Sequence, residues 1–142
     1  MTIHLLKLSV GAQGVEDMTA WVEGRVKKNA RGPYGAVHDH VTRMFPRRVD
    51  EILDGGSIYW VIKGVVLMRQ PIIGLEKATG EDGIERCAIL MAPDIVLTEA
   101  QPRRAFQGWR YLKPEDAPRD LKGGARREPP ALRARLAELG LL

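Results

Sequence analysis

The stretch of residues 102–114 concentrates side chains that could bind an anionic polymer. It holds three aromatic and four basic residues. In an extended strand, Trp109 and Tyr111 share one face and Arg110 takes the other. Aromatic rings flanked by cations suit single-stranded nucleic acid, in which each stacked base contributes ~1–3 kcal/mol. The alternative is that both rings belong to the core and the arginines form a solvated rim. The arginines of this stretch are Arg103, Arg104 and Arg110.

A second basic group surrounds the predicted start of a helix. Pro46 suits the first helical position, where its missing N–H is not needed. The free N–H groups and the dipole of a helix N-terminus attract anions, so arginines here could clamp a phosphate or a carboxylate. These arginines are Arg43, Arg47 and Arg48. The alternative is ion pairing with nearby acids, which are Asp50, Glu51 and Asp54.

A third set of polar residues belongs to a segment that is dense in β-branched and aromatic side chains, as strands are. Strand alternation places Tyr59 and Lys63 on one side of the sheet. Trp60 and Ile62 take the opposite side and are expected in the core. The sequence therefore predicts that Tyr59 and Lys63 contribute to the same nucleic-acid-binding face.

The sequence contains no motif for catalysis or for a nucleotide cofactor. Neither Gly-Gly pair has the lysine and spacing of a phosphate-binding loop, and the two serines, Ser9 and Ser57, stand outside a nucleophile elbow. Cys87 is the single cysteine and lies in an apolar segment typical of a buried, unreactive thiol. We expect no catalytic residue and no cofactor. A small enzyme acting on an anionic substrate, with Asp54 or Asp94 as base, remains an alternative.

Among the histidines, His38 and His40 have a spacing that could suit a metal ion. Both side chains would point to the same side of a strand. A third ligand would have to come from elsewhere, and His4 is the only other histidine. We therefore expect solvated or hydrogen-bonded histidines and no metal site.

Composition and charge limit the classes of protein to which the chain can belong. The chain has 142 residues, 44% of them hydrophobic, which favours one domain with one core. Residues 1–100 carry 12 basic and 13 acidic side chains, whereas residues 101–142 carry 10 basic and 5 acidic ones. No apolar run reaches the roughly 20 residues of a membrane span, and the N-terminus lacks the pattern of a signal peptide. We expect a cytoplasmic protein without membrane contact, whose positive excess lies in its C-terminal third.

Periodicity predicts the elements that must position these residues. Apolar residues at three- and four-residue steps predict a helix over residues 15–29. Strands are predicted at residues 2–10, 40–44, 57–62, 72–77, 84–91, 95–99 and 109–112. A short helix after Pro46, a hairpin loop at 79–83 and a helical turn at 114–116 separate them. Because strands follow one another instead of alternating with helices, the order predicts an α+β fold, a small mixed or antiparallel β-barrel decorated by helices.

The barrel domain is predicted to span residues 1–122. Residues 123–142 are expected to form a basic linker and a last helix with one apolar face. That face consists of Leu132, Leu136 and Leu139. It could dock on the core, on a partner or on a second copy, so a protein-interaction or assembly module is an alternative function.

The chain resembles an uncharacterised family of small bacterial proteins, a domain of unknown function, over nearly its whole length. The resemblance rests on HVTRMFPRR at 40–48, GSIYWVIKG at 56–64 and FQGWRYL at 106–112. That family implies no activity. A weaker likeness over residues 49–91 is to the PUA-like superfamily, with its ASCH and EVE domains, and it implies a small mixed barrel that in many members binds RNA or modified bases. The leading hypothesis is a non-catalytic module that binds RNA, a modified base or another polyanion.

Overall fold

The computed structural model describes residues 1–125, with side chains through residue 121. This part of the chain is an α+β fold of eight strands and two helices. The strands are β1 (His4–Leu8), β2 (His38–Thr42), β3 (Ser57–Ile62), β4 (Val65–Thr79), β5 (Glu85–Met91), β6 (Val96–Pro102), β7 (Trp109–Leu112) and β8 (Asp120–Ala125). The helices are α1 (Val15–Asn29) and α2 (Val49–Leu53), and a 3-10 turn spans Pro114–Asp116. No helix among residues 1–125 is long and apolar enough to cross a bilayer.

The long strand β4 organises the sheet. Its first half pairs with β3 on one edge and with β6 on the other, and its second half pairs with β5. Beyond β3 lie β1 and then β7, while β2 pairs with β5 and β8 pairs with β6. Only the β1–β3 pairing is parallel among these described strands.

The predicted α+β fold is confirmed, but the sheet is not closed within residues 1–125, so these strands do not show the predicted barrel. Strand β4 changes partners at Pro71: its first half pairs with β3 and β6, and its second half pairs with β5. Strand pairing therefore extends from β4 in two directions and does not close on itself among the described strands. Pro71 was expected to begin a strand but lies inside one. It has no N–H to donate, its carbonyl accepts from the N–H of Ala92 at 2.9 Å, and the β4–β5 ladder becomes irregular between Ile72 and Gly74.

Strand β3 is buried along its whole length because both faces of the sheet are covered there. Ile58, Trp60 and Ile62 join the larger core cluster, which includes residues of α1. Tyr59 and Val61 point to the opposite face, into a smaller cluster. The predicted core positions of Trp60 and Ile62 are confirmed.

Helix α1 begins and ends at the residues that the apolar spacing predicts. Met18 and Val22 are buried one turn apart, and Val15 and Val26 extend this stripe against the core. Acidic residues in the first turn and lysines in the last turn interact favourably with the partial charges of the helix dipole. Trp21, beside the stripe, remains 45% exposed.

Strand β8 includes the Gly-Gly pair that was predicted as part of a linker. It pairs with β6 between Val96 and Ala125 and between Thr98 and Asp120. The sheet therefore continues three residues past the predicted boundary at 122. The rest of the predicted linker and the last helix, with Leu132, Leu136 and Leu139, lie outside the described residues.

Candidate nucleic-acid interface

Strand β7 divides the predicted binding residues between the two faces of the sheet. Trp109 and Tyr111 share one face, with ring centroids 4.8 Å apart. Arg110 takes the other face, where its guanidinium lies 5.1 Å from the ring centroid of Phe106. The predicted alternation is confirmed. The predicted binding residues therefore lie on two separate surfaces, one with Trp109 and Tyr111 and one with Arg110.

On the first face, Trp109 and Tyr111 anchor the loop that precedes α2. The indole N–H of Trp109 donates to the carbonyl of Met44 at 2.8 Å. The hydroxyl of Tyr111 accepts from the backbone N–H groups of Arg47 and Arg48 at 3.0 and 3.3 Å. Trp109 also packs against the larger core cluster, and Tyr111 is 37% exposed. The two basic stretches thus meet, but the rings between them hold the loop in place.

Replacement of Tyr111 by phenylalanine is expected to lower the free energy of unfolding by about 1 kcal/mol, because two backbone donors lose their acceptor. Urea denaturation followed by circular dichroism measures the change. Tyr34 is the matched control, since it is 40% exposed and its hydroxyl has no hydrogen-bond partner among the described residues. Equal stability of Tyr111→Phe and Tyr34→Phe would show that the hydroxyl does not hold the loop.

At the start of α2, the backbone N–H groups that were considered for an anion already have a partner. The helix has five residues, and Tyr111 already accepts from the N–H groups of Arg47 and Arg48. The Arg48 side chain pairs with Glu51, and this hydrogen bond raises the pKa of the guanidinium. The alternative of ion pairing is therefore confirmed for Arg48. Arg43 and Arg47 are exposed, and their side chains form no ion pair within the described residues.

Tyr59 cannot stack on a base because it is only 4% exposed. The ring of His4 packs edge-on against it, with centroids 5.0 Å apart, and burial raises the pKa of the Tyr59 hydroxyl. Lys63 is exposed in the two-residue turn between β3 and β4. Lys63 and Gly64 have φ values of 49° and 79°, as a type I′ hairpin turn requires. Of this predicted pair, only the lysine is accessible to a ligand.

On the second face lies a concave surface that we call the basic groove. Its volume is about 530 Å³. It is lined by Leu6, Pro102, Arg103, Arg104, Ala105, Phe106 and Arg110. Leu6 and Phe106 belong to the smaller core cluster and give the groove an apolar floor. Arg103 is held by hydrogen bonds to the Gln101 side chain at 2.9 Å and to the Asp116 carbonyl at 3.3 Å.

A second concavity of about 280 Å³ neighbours the basic groove, with which it shares Ala105. Lys63 and Gly64 line it, and the carbonyl of Gly64 accepts from the N–H of Arg103 at 2.8 Å. The turn that carries Lys63 is thus joined directly to the strand end that carries Arg103. Four of the predicted binding residues line these two neighbouring concavities, namely Lys63, Arg103, Arg104 and Arg110.

The acids considered as catalytic bases lie away from the basic groove. Its lining contains no carboxylate, and Asp54 and Asp94, the proposed bases, do not line it. Asp54 lies 3.8 Å from the N-terminal ammonium group. Cys87 is buried, and burial raises the pKa of its thiol to about 11, so the predicted unreactive thiol is confirmed.

A third cavity, which the sequence did not identify as a site, lies on the α1 face of the sheet. We call it the tryptophan pocket. Its volume is about 200 Å³, and its lining includes Lys7, Trp21, His38, His40 and Trp60. His38 and His40 point into one space, as strand alternation predicts. Pairing of β2 with β5 is a long-range contact, so no local signal could place these histidines beside Lys7 and Trp60. Residues 1–125 contain no group of three or more His, Cys, Asp or Glu that could hold a metal ion.

The titratable groups of the tryptophan pocket disfavour added positive charge. Burial lowers the pKa of Lys7 and of His38. Burial, followed by repulsion from Lys7, lowers the pKa of His40 to about 4. Both histidines are therefore neutral near pH 7, and Lys7 is the one cationic side chain in the lining.

Comparison with known proteins shows a family but no activity. No curated protein and no solved structure matches the chain, and these comparisons do not show the likeness to the PUA-like superfamily. A family model described as Protein of unknown function (DUF1489) matches residues 5–142. The match includes all three motifs on which the resemblance to a family of unknown function was based. The chain therefore belongs to the family Protein of unknown function (DUF1489).

Proposed function

We propose that this protein binds single-stranded RNA through the basic groove. One observation carries the proposal: four cationic side chains line two neighbouring concavities that share Ala105, and none of them forms an ion pair with a carboxylate in the described part of the chain. These are Lys63, Arg103, Arg104 and Arg110. An uncompensated group of cations at neighbouring concavities favours a ligand that carries several negative charges.

The chemistry of the groove suits a nucleic-acid backbone. Guanidinium groups present planar forks of donors that match phosphate oxygens. The partly exposed ring of Phe106 supplies an apolar surface on which part of a base or ribose can lie. The surface is a depression, whereas proteins that read a duplex insert a helix or a β-ribbon into its major groove. A flexible single strand can follow such a depression, and this favours single-stranded over double-stranded nucleic acid.

Fluorescence anisotropy of a labelled twelve-nucleotide polyuridine tests the proposal. If four phosphates are neutralised, the slope of log affinity against log salt for a single strand is about −3, and raising salt from 50 to 200 mM weakens binding about 50-fold. Affinity that is absent at 50 mM salt, or that does not change with salt, would contradict the proposal. Tighter binding of a duplex of equal length would contradict its single-strand part.

A pair of double variants locates the interface. Arg104→Gln with Arg110→Gln is expected to weaken binding at least about 10-fold and to reduce the salt slope by about 1.4, since two phosphate contacts are lost. Arg43→Gln with Arg47→Gln removes the same charge from the opposite face and is expected to leave affinity within about twofold. Equal weakening by both pairs would show that binding follows net charge and not the groove.

A further inference from the structure

The tryptophan pocket has the size and shape of a site for one small ring. Its volume of about 200 Å³ lies below the roughly 300–1,000 Å³ of pockets for drug-sized ligands. Trp21 and Trp60 supply aromatic surface, and His40 packs edge-on against Trp60 with centroids 5.6 Å apart. Lys7 lines this pocket and its neighbour Leu6 lines the basic groove, so the two sites lie on opposite faces of β1.

The hydrogen bonds of Gln70 determine which nitrogen of His38 is available to a ligand. The amide nitrogen of Gln70 donates to the carbonyl of Ala92 at 3.2 Å, and the indole N–H of Trp60, which can only donate, meets Oε1 of Gln70 at 3.0 Å. Oε1 is therefore an acceptor. Nδ1 of His38 lies 3.0 Å from the same oxygen and must carry the proton. In the neutral ring, Nε2 is left as a hydrogen-bond acceptor.

Lys7 brings the only formal charge to the lining, and Asp39, which stands between the two histidines in the sequence, is paired with other residues. One oxygen of Asp39 accepts from Arg25 at 2.6 and 2.9 Å and from Asn29 at 2.8 Å. Burial disfavours ionisation of Asp39, but the hydrogen bonds from Asn29 and Arg25 outweigh it and lower the pKa of the carboxyl. Among residues 1–121, Lys7 forms no ion pair.

We propose that the tryptophan pocket binds a small planar monoanion, a single five- or six-membered aromatic ring that carries a carboxylate and an N–H donor. Lys7 pairs with the carboxylate, the exposed ring of Trp21 covers the ligand ring, and Nε2 of His38 accepts the N–H, while the buried Trp60 closes the inner end of the pocket. A single cation beside two neutral imidazoles favours a carboxylate over a doubly charged phosphate. This site is independent of RNA binding in the basic groove.

Isothermal titration calorimetry with pyrrole-2-carboxylate tests the proposal, because this probe has the ring, the N–H and the carboxylate. We expect a Kd of about 1 mM or tighter, which is within reach of eight non-hydrogen atoms. Three further probes separate the features: pyrrole-2-carboxamide lacks the charge, furan-2-carboxylate lacks the donor, and cyclopentanecarboxylate lacks both the donor and the planar ring, so that its comparison with furan-2-carboxylate isolates the ring. Each is expected to bind at least about 10-fold more weakly. Equal binding of all four, or no binding of pyrrole-2-carboxylate at 10 mM (about ten times the expected Kd), overturns the proposal.

Substitution of Lys7 then tests whether pyrrole-2-carboxylate binds in the tryptophan pocket. Lys7→Met keeps the length of the side chain and is expected to weaken pyrrole-2-carboxylate binding at least about 10-fold. Lys28→Met, in the last turn of α1, is the control with the same loss of charge and is expected to bind as the original protein does. Unchanged binding in Lys7→Met would overturn the assignment. If Lys7→Met fails to fold, the comparison of carboxylate with carboxamide on the original protein still decides whether a cation is required.

Discussion

Replacement of Gln70 by leucine is expected to lower the free energy of unfolding by at least about 3 kcal/mol. Gln70 is fully buried and joins three groups by hydrogen bonds, the indole N–H of Trp60, Nδ1 of His38 and the carbonyl of Ala92. Leucine has a similar volume but no polar atom. Each buried group left unpaired costs about 1–3 kcal/mol, so the three losses together exceed the effect of an ordinary core substitution.

Urea denaturation followed by circular dichroism measures this loss, with Gln107→Leu as the control. Gln107 is exposed and its side chain has no hydrogen bond among the described residues, so its replacement is expected to change stability by less than about 0.5 kcal/mol. A loss of under about 1 kcal/mol for Gln70→Leu would mean that water or movement of His38 satisfies the same groups. The tautomer of His38 inferred from Gln70 would then lose its basis.

Lowering the pH from 7 to 4 is expected to reduce the free energy of unfolding by about 2 kcal/mol through His40 alone. Its pKa is lowered from 6.5 to about 4 in the folded protein, and each pKa unit corresponds to about 1.4 kcal/mol before allowance for partial exposure. Between these two values the unfolded chain binds the proton and the folded chain does not. Stability is therefore fully present above about pH 6.5 and is lost as the pH falls. His4 and His38, whose pKa values burial also lowers, act in the same direction.

The paired carboxylates act in a separate pH range. Hydrogen bonds from Arg69 lower the pKa of Asp120, and those from Asn29 and Arg25 lower that of Asp39, in both cases against the opposing effect of burial. Their contribution is lost only as the pH falls below the ordinary value of 3.8. Denaturation at several pH values in constant salt separates the two groups. Stability that stays constant from pH 6.5 to 4.5, or a slope in this range that His40→Gln leaves unchanged, would contradict the assignment to His40.

Local sequence patterns predicted the helices and strands whose formation depends mainly on residues that are close together in the chain. The bounds of α1 follow from apolar residues at helical spacing, and those of β3 and β7 from dense β-branched and aromatic residues. The course of β4 through Pro71 was not predictable in this way, because proline normally begins a strand or lies at its edge. The open sheet likewise depends on where β4 exchanges partners, which is a long-range property.

For the candidate site, too, the sequence predicted the features that depend on neighbouring residues and not those that depend on distant ones. Alternation of Trp109, Arg110 and Tyr111 is local and was correct. The partners that occupy Tyr111 lie 63 and 64 residues away in the chain, so the sequence could not show that its hydroxyl was already used. The position of Tyr59 within its strand was also correct, but its burial depends on the cover that the second cluster provides.

The shared strand β4 also constrains how the chain can change in length. A shift of one residue turns every following side chain of a strand to the opposite face. In β4, such a shift at Pro71 would place Ile72, now buried, toward solvent, and would exchange the faces of the residues that follow it in the β4–β5 ladder. The hairpin loop between Thr79 and Glu85 has no such constraint, because its residues are exposed. Insertions and deletions near β4 are therefore expected in the loop between Thr79 and Glu85 and not within the strand.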